Sequence, residues 1–187
     1  SELFSLGINV DCLPVLDVPA PGGHDIIGDR AFASDPEVVA ALGRSTAKGL
    51  MAGGVLPIAK HIPGHGRAGA DSHLALPVVD APRTELEQID FLPFRALRDL
   101  PLAMTAHVVY SAIDPDSPGT VSAPVIETLV RGDIGFDGFL FPDDISMQAL
   151  QGSLAERAGA AIAAGCDAVL HCSGVLSEMI EVSGAVG

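Results

Sequence analysis

Short apolar runs separated by segments of helical character limit what this chain can fold into more than any other feature. Strands that are buried on both faces of a parallel sheet are apolar throughout, and helices connect and cover them. The predicted strands are Ile8 to Val18, Val55 to His61, Leu102 to His107, Phe139 to Phe141 and Ala168 to Cys172. The predicted helices are Asp35 to Met51, Thr84 to about Pro101 with a break or kink near Pro93, Pro124 to Arg131 and Ser153 to Ala164, before a last, weak helix. The sequence therefore predicts an α/β fold.

Polar residues end these apolar runs, at Asp17, Lys60-His61, His107, Asp143-Asp144 and His171. In a (β/α)8 TIM-type barrel the active site lies at the C-terminal ends of the strands and takes residues from several of them. A doubly wound sheet would collect its ligand groups at one switch point and favour a Gly-rich phosphate turn after the first strand. Because the segment from Pro19 to Gly23 lacks the G-x-G-x-x-G spacing, we favour the barrel.

The pattern contains about five strand–helix units, whereas a complete barrel has eight. No internal repeat or low-complexity linker divides the chain, and we interpret residues 1–187 as one domain. We therefore expect an incomplete portion of a (β/α)8 barrel, with the N-terminal strands missing from this sequence.

The composition argues against some classes of function. A formal net charge of −14 disfavours nucleic acid as a partner, because phosphate binding needs a basic surface. No apolar run reaches the roughly 20 residues that span a bilayer, so we expect no membrane partner. The cysteines number three and lie inside apolar runs, which argues against a disulfide framework and favours a reducing compartment.

Asp143 follows a predicted strand, and Pro142 fixes the backbone just before it. A carboxylate held rigidly at a strand end suits a nucleophile or an electrostatic stabiliser. In many Asp-Asp pairs, one aspartate simply caps the next helix. We expect both roles in Asp143-Asp144, with one residue capping and the other reacting.

Asp71 and His73 form a second candidate pair, in the Gly-rich loop after the second predicted strand. A carboxylate two residues before an imidazole can orient the ring and raise its pKa above the unperturbed value of about 6.5, which gives a general acid near neutral pH. Most isolated pairs with this spacing are surface residues without mutual contact, so this role depends on the loop bringing them together.

A zinc site is an alternative for the same loop, with His61, His65, Asp71 and His73 as ligands. Lys60 beside His61 would add positive charge at the metal, and the H-x3-H-x7-H spacing matches no zinc signature with a physical basis. We therefore expect no metal and no other cofactor.

Arg30 and His107 each allow two interpretations. Arg30 follows a Gly/Pro loop and could clamp a substrate or pair with Asp29. His107 ends the third predicted strand and could line the pocket or be a satisfied core histidine. We include both among the substrate-binding candidates, whereas His171 and Cys172 are expected to serve packing.

Taken together, these stretches resemble the β-N-acetylglucosaminidases of glycoside hydrolase family 3, the bacterial β-hexosaminidases of cell-wall recycling. The resemblance covers most of the chain and keeps the order of the motifs. The matching segments are P-V-L-D-V at Pro14 to Val18, I-G-D-R at Ile27 to Arg30, K-H-I-P-G-H-G at Lys60 to Gly66, D-S-H at Asp71 to His73, M-T-A-H-V at Met104 to Val108, and G-F-D-G with D-D-I-S-M between Gly135 and Met147.

The resemblance implies a role for each matched residue. Asp143 would be the nucleophile, His73 the general acid/base and Asp71 its partner, and the N-acetylglucosamine would be bound by Arg30, Lys60 and His61. It also implies a retaining reaction through a glycosyl-enzyme intermediate. The implied substrates are N-acetylglucosaminyl muropeptides, and the implied location is the cytoplasm.

Departures from the family pattern keep alternatives open. No Asp-Gln-Glu-Gly-Gly type segment is present, Pro142 stands where the family usually has Ser or Thr, and the chain stops just after its last predicted strand. A catalytically impaired sugar-binding relic or fragment is therefore an alternative, as is a metal-dependent hydrolase. Phosphate could also replace water as the acceptor, because a histidine acid/base does not become anionic.

Overall fold

The computed structural model describes residues 2–23, 25–69, 72 and 75–187. Its strands are β1 (Val10–Asp11), β2 (Leu56–Ile62), β3 (Val78–Val79), β4 (Leu102–Thr105), β5 (Val109–Tyr110) and β6 (Phe139–Pro142). Its α-helices are α1 (Glu2–Ser5), α2 (Pro36–Ala52), α3 (Arg83–Gln88), α4 (Leu92–Ala96), α5 (Leu154–Ala163) and α6 (Leu176–Val186). A π-helix spans Pro124–Ile134, and short 3₁₀ turns cover Gly28–Arg30 and Gly119–Val121.

The main sheet is parallel and has four strands in the order β1-β2-β4-β6. β3 and β5 form a separate parallel pair. Strands of the main sheet are arranged in the order in which they occur along the chain, whereas a doubly wound sheet reverses its order at a switch point. The predicted α/β fold of the barrel type is therefore confirmed.

The first predicted strand is less regular than the sequence indicated. Regular pairing covers the two residues of β1, and Val15 then forms an isolated parallel bridge with Lys60. Between them the chain still follows β2, because the Lys60 N–H donates to the Pro14 carbonyl (3.1 Å). Pro14 has no N–H to donate, which interrupts the ladder at this point.

The predicted strand from Ala168 to Cys172 is wrong. The preceding residue, Asp167, donates its N–H to the Leu140 carbonyl (2.7 Å) and accepts the Leu140 N–H with its carboxylate (2.7 Å). The side chain thus occupies the position that a backbone carbonyl would have in a strand ladder. The segment still lies beside the turn that follows β6, since Ile145 donates its N–H to the Leu170 carbonyl (3.0 Å).

Two helices begin where local capping chemistry predicts. Asp35 accepts the N–H of Glu37 at the start of α2, and Pro36 occupies the first helical position. Ser153 and Glu156 form a capping box at the start of α5. Both caps join residues that are close in the sequence, so the starts of these helices are predictable from local chemistry.

The core lies between the sheet and the helices that cover it. Its largest fully buried side chains include Tyr110, Phe91, Phe94, Phe136, Leu16, Ile62 and Leu140. A Cβ added to Gly43 of α2 would lie 2.4 Å from the Leu16 side chain, so the helix packs closely on the sheet. Dense packing of this kind holds the ends of the strands in fixed positions.

No helix in the described part of the chain is both long enough and apolar enough to cross a membrane.

Candidate active site

A small cavity opens beyond the C-terminal ends of β2 and β6. Its volume is about 190 Å³. Parallel strands bring residues that are distant in sequence to the same edge of a sheet. The cavity is lined by Ile26, Ile27, Arg30, Lys60, His61, His65, Ser72 and Asp143. Four of the predicted site residues therefore meet at one place.

Asp143 directly follows β6, whose last residue pairs in register with Thr105 of β4. Its Oδ1 atom accepts a hydrogen bond from the Asp144 N–H (2.8 Å), and its Oδ2 atom lies 3.7 Å from Nε2 of His61. The side chain is 23% exposed. The backbone thus holds one carboxylate oxygen while the other faces the cavity, an arrangement that suits attack on, or stabilisation of, a cationic centre.

β2 contributes two consecutive side chains to the cavity, Lys60 and His61. Successive residues of a regular strand point to opposite faces. The pairing of β2 with β4 shifts register between Lys60 and Ile62, which leaves one residue of β2 unpaired. Because such a bulge redirects side chains, a cation and an imidazole both reach the space beside Asp143.

Asp17 is fully buried and binds the chain segment that follows β2. Its carboxylate accepts the backbone N–H groups of His61 (3.2 Å) and His65 (2.7 Å) and lies 2.7 Å from His61 Nδ1. Burial opposes ionisation, but the two histidines and these hydrogen bonds outweigh it and hold the pKa of Asp17 below its ordinary value. Asp17 is therefore an anion inside the protein.

His65 is buried and connects two loops. Its Nε2 atom lies 3.2 Å from the hydroxyl of Ser72, whose carbonyl accepts the N–H of Ala149 (3.2 Å) in the loop after β6. Burial lowers the pKa of His65, although the charge of Asp17 acts in the opposite direction. The ring is consequently neutral at neutral pH.

Asp71 and His73, the predicted acid/base pair, lie outside the described residues, as does any contact between them. Ser72, which separates them in the sequence, is described and lines the cavity. The roles of Asp71 and His73 stay predictions.

Arg30 lies in the 3₁₀ turn Gly28–Arg30 and lines the cavity. Its guanidinium donates to the carbonyls of Ile26 (2.7 Å) and Ile27 (3.3 Å). A guanidinium has five N–H donors, so these two bonds leave others for a ligand. This placement favours the substrate clamp over a pair with Asp29.

His107 is 1% exposed and does not belong to the cavity wall described above. Its Nδ1 atom lies 2.7 Å from the Thr120 hydroxyl, and its Nε2 atom lies 3.0 Å from the Asp144 carbonyl. Burial lowers the pKa of His107 even though the Asp144 carbonyl favours the charged ring. The description as a satisfied core histidine fits these contacts, and a direct contact between His107 and a substrate stays a prediction.

A turn, and not the expected helix, follows the Asp143-Asp144 pair, so the prediction of a helix cap there is wrong. Asp144 accepts the N–H groups of Ser146 (3.0 Å) and Cys172 (3.2 Å) and the Ser146 hydroxyl (2.6 Å). Burial would raise its pKa, but these hydrogen bonds outweigh burial and lower it. Asp144 therefore stabilises the turn, while Asp143 faces the cavity.

No cluster of three or more His, Cys, Asp or Glu side chains that could hold a metal ion is found among the residues that the structure describes. Two members of the zinc set considered from the sequence, Asp71 and His73, lie outside that part. Of the others, His61 has its Nδ1 atom engaged by Asp17, and its Nε2 atom lies 3.7 Å from Oδ2 of Asp143.

A larger cleft of about 470 Å³ lies beside α5. Two of its charged groups are engaged by the protein itself, since Glu156 accepts the N–H and the hydroxyl of Ser153 and Arg157 donates to the carbonyls of Ile145 and Met147. The smaller cavity holds the side chains suited to chemistry, and we take it as the candidate site.

Asp17 and Thr120 are among the residues around the site to which the sequence assigns no role. Asp17 is a polar residue at the end of an apolar run, and a carboxylate inside the segment P-V-L-D-V is a signal of a functional position. Thr120 gave no signal, because its contact with His107 depends on how the loop after β5 folds back.

Comparison with known proteins identifies the family. Residues 1–186 match the Glycosyl hydrolase family 3 N terminal domain. A protein named Beta-hexosaminidase from Alkalilimnicola ehrlichii is 46% identical over 177 residues, which make up 92% of this chain and 50% of that protein. The chain thus spans about half the length of the curated relatives it matches.

Solved structures of similar proteins share the fold. A glycoside hydrolase family 3 beta-N-acetylglucosaminidase from a Paenibacillus species superposes with a TM-score of 0.93 and 38% identity over 99% of this chain and 36% of its own. NagZ from Neisseria gonorrhoeae, in complex with N-trifluoroacetyl-D-glucosamine, gives a TM-score of 0.86 and 39% identity over 98% of this chain and 52% of its own. With the sequence match and the shared fold in agreement, this chain belongs to glycosyl hydrolase family 3, in the N-terminal domain of that family.

Proposed function

We propose that the full-length protein is a retaining exo-β-N-acetylglucosaminidase that acts through a glycosyl-aspartate at Asp143. The observation that carries this proposal is the Asp143 carboxylate, which faces a cavity of about 190 Å³ together with Arg30, Lys60 and His61. Sites for drug-sized ligands usually measure roughly 300–1,000 Å³. A smaller cavity with several polar groups supports recognition of one terminal sugar.

In this mechanism Asp143 attacks the anomeric carbon while the bond to the leaving oxygen breaks, and a glycosyl ester forms. His73, oriented by Asp71, donates its proton to the leaving oxygen. Neutral His73 then takes a proton from the water that hydrolyses the ester, which restores both groups. Lys60, His61 and Arg30 bind the sugar hydroxyls and the N-acetyl group.

The preference for an N-acylated sugar draws on relatives. The Neisseria protein was solved with N-trifluoroacetyl-D-glucosamine, and the curated relatives carry the name Beta-hexosaminidase. We infer that the natural substrates are N-acetylglucosaminyl muropeptides derived from peptidoglycan, and that the reaction takes place in the cytoplasm. The family resemblance supports both inferences.

A non-catalytic sugar-binding protein is the second candidate, and Pro142 is the observation that favours it. Pro142 is the last residue of β6 and has no N–H or hydroxyl to offer beside Asp143. The Asp144 N–H does reach the Asp143 carboxylate (2.8 Å), so one backbone donor is retained. This donor supports the catalytic proposal over the second candidate.

Hydrolysis of an aryl β-N-acetylglucosaminide by the full-length protein tests the proposal. Asp143→Ala is expected to lower kcat by roughly 10⁴-fold or more, as removal of a nucleophile does. The first-formed sugar, followed by proton NMR, is expected to be the β-anomer, because two displacements retain configuration.

Asp99→Ala serves as the control. Asp99 pairs with Arg44 on the surface (2.8 Å), so its substitution is expected to leave turnover unchanged. Wild-type turnover in Asp143→Ala, or a first product of α configuration, would overturn the assignment of the nucleophile. Binding of N-acetylglucosamine in calorimetry without any turnover would support the sugar-binding alternative.

A further inference from the structure

Asp17 is not among the residues that line the cavity, but it binds His61, which is one of them. It is fully buried, and its Oδ2 atom lies 2.7 Å from Nδ1 of His61. The opposite ring nitrogen of His61, Nε2, lies 3.7 Å from Oδ2 of Asp143. One imidazole therefore connects a buried carboxylate to the carboxylate at the centre of the site.

We propose that Asp17 is a positioning residue that fixes the tautomer and the orientation of the His61 ring, so that Nε2 faces the sugar and Asp143. This inference rests on the proposed function, because it assigns a role to a residue behind the same site.

The charge state of Asp17 determines the tautomer. A buried charge is tolerated where hydrogen bonds compensate it, and Asp17 receives two backbone N–H groups, from His61 and His65, besides the ring contact. An ionised carboxylate only accepts hydrogen bonds. The 2.7 Å contact therefore requires a proton on Nδ1 of His61.

The state of Nε2 follows from this requirement. With Nδ1 protonated, the neutral ring presents a lone pair at Nε2, which can accept a hydrogen bond from a sugar hydroxyl. If the ring takes up a second proton, Nε2 becomes a donor that attracts Asp143. Without Asp17, Nδ1 could give up its proton to Nε2, and the neutral ring would present a donor to the cavity in place of an acceptor.

The substitution Asp17→Asn tests the proposal with little change of shape. The amide oxygen can still accept the two backbone N–H groups, while the amide NH₂ donates to Nδ1 and drives the proton to Nε2. Partners that orient metal-ligating histidines commonly cost about 10–100-fold when they are lost, and the same orienting role is proposed for Asp17. We expect kcat/KM for an aryl β-N-acetylglucosaminide to fall by about 10–100-fold in the full-length protein.

A double-mutant cycle separates positioning of the ring from support of the backbone. In a His61→Ala background the ring is absent, but both backbone N–H groups that Asp17 accepts are still present. If Asp17 acts through the ring, Asp17→Asn is expected to cost less than about 3-fold in that background. An equal loss in both backgrounds would assign Asp17 a purely structural role and overturn the proposal.

Asp167→Asn is the matched control. The Asp167 carboxylate also accepts one backbone N–H, from Leu140 (2.7 Å), and a hydrogen bond from one cationic side chain, Arg131 (2.8 Å). It lies beside the start of β6 and does not line the cavity. It is expected to leave kcat/KM within a factor of about 2, since surface changes far from a site have small effects. Thermal unfolding of every variant verifies that each one folds.

A spectroscopic measurement makes the inference independent of activity. Nitrogen-15 NMR of the histidine rings is expected to show His61 protonated at Nδ1 in the wild type and at Nε2 in Asp17→Asn. If the wild type lacks turnover but the His61 proton moves from Nδ1 in the wild type to Nε2 in Asp17→Asn, the proposed function fails while the positioning role stands. If the neutral ring of the wild type carries its proton on Nε2, the positioning role is wrong whatever the activity.

Discussion

Thr120 illustrates how one buried hydroxyl supports the turn that carries Asp143. Its Oγ1 atom lies 2.7 Å from the Thr105 hydroxyl and 2.7 Å from Nδ1 of His107. The other ring nitrogen of His107 holds the Asp144 carbonyl (3.0 Å). Since Thr105, His107 and Thr120 are all buried, each polar atom depends on the others for its hydrogen bonds.

Thr120→Val is therefore expected to destabilise the protein, because the new side chain has the same shape but leaves His107 Nδ1 and the Thr105 hydroxyl without this partner. A buried polar group that loses its partner costs about 1–3 kcal/mol, so we expect the free energy of unfolding to fall by about 2–4 kcal/mol in urea titrations. Thr46→Val, which removes a hydroxyl bonded to the Leu42 carbonyl within α2, is expected to change it by less than about 0.5 kcal/mol. Equal stability of the two variants would contradict this account.

At the scale of an element, the segment that follows β2 is held from several sides. Tyr110 donates its hydroxyl to the Gly64 carbonyl (2.8 Å), and Asp17 accepts the N–H of His65 (2.7 Å). A Cβ at Gly66 would lie 2.0 Å from the Val18 carbonyl oxygen, closer than any real contact. The backbone of this segment passes so near the first strand region that only glycine fits at position 66.

Gly66→Ala is expected to lower the free energy of unfolding by about 1–3 kcal/mol or more, because backbone and not a flexible side chain has to move. Gly69→Ala is the matched control in the same loop, since a Cβ there meets nothing within 4 Å. It is expected to be neutral or to stabilise by up to about 1 kcal/mol through the unfolded state. Thermal and urea unfolding of both variants provide the comparison, and a Gly66→Ala protein as stable as Gly69→Ala would exclude the close approach.

At the scale of the whole molecule, buried titratable groups make stability depend on pH. Burial lowers the pKa of His65 and of His107, so below pH 6.5 the unfolded chain binds protons that the folded protein does not bind. Their contribution to stability is complete above pH 6.5 and declines as the pH falls. Asp90 acts in the opposite direction, because burial raises its pKa to about 6 even though Arg67, 2.6 Å away, lowers it.

Between about pH 6 and its ordinary value of 3.8, folded Asp90 keeps a proton that the unfolded chain has lost, and stability gains as the pH falls. Asp90→Asn removes this contribution. From pH 6 to pH 4 the free energy of unfolding is then expected to fall more steeply than in the wild type, by up to about 1.4 kcal/mol per pH unit. Asp99→Asn is the control. Arg44 lowers the pKa of the Asp99 carboxyl, so Asp99 titrates mainly below this pH range and its removal should leave the slope in urea titrations close to that of the wild type. A wild-type slope in Asp90→Asn would refute the assignment.

Features of the fold that depend on residues close in the sequence were predictable from the sequence alone. The apolar runs that became β2, β4 and β6 are local signals, as are the caps of α2 and α5. In a barrel, active-site groups lie at the C-terminal ends of the strands, and this rule predicts that Lys60, His61 and Asp143 lie close together. All three line the same cavity. This part of the prediction needed no knowledge of distances.

Contacts between residues that are distant in the sequence were not predictable without the three-dimensional fold. The Asp17–His61 pair joins positions 44 apart, and the His107–Thr120 contact depends on the fold of a loop. The strand predicted from Ala168 to Cys172 is absent, and beside β6 the Asp167 carboxylate accepts the Leu140 N–H. The apolar pattern of the sequence does not reveal this side-chain hydrogen bond. Periodicity and capping act within a few residues along the chain, whereas the partner of a buried polar group is set by which elements the packed core brings together.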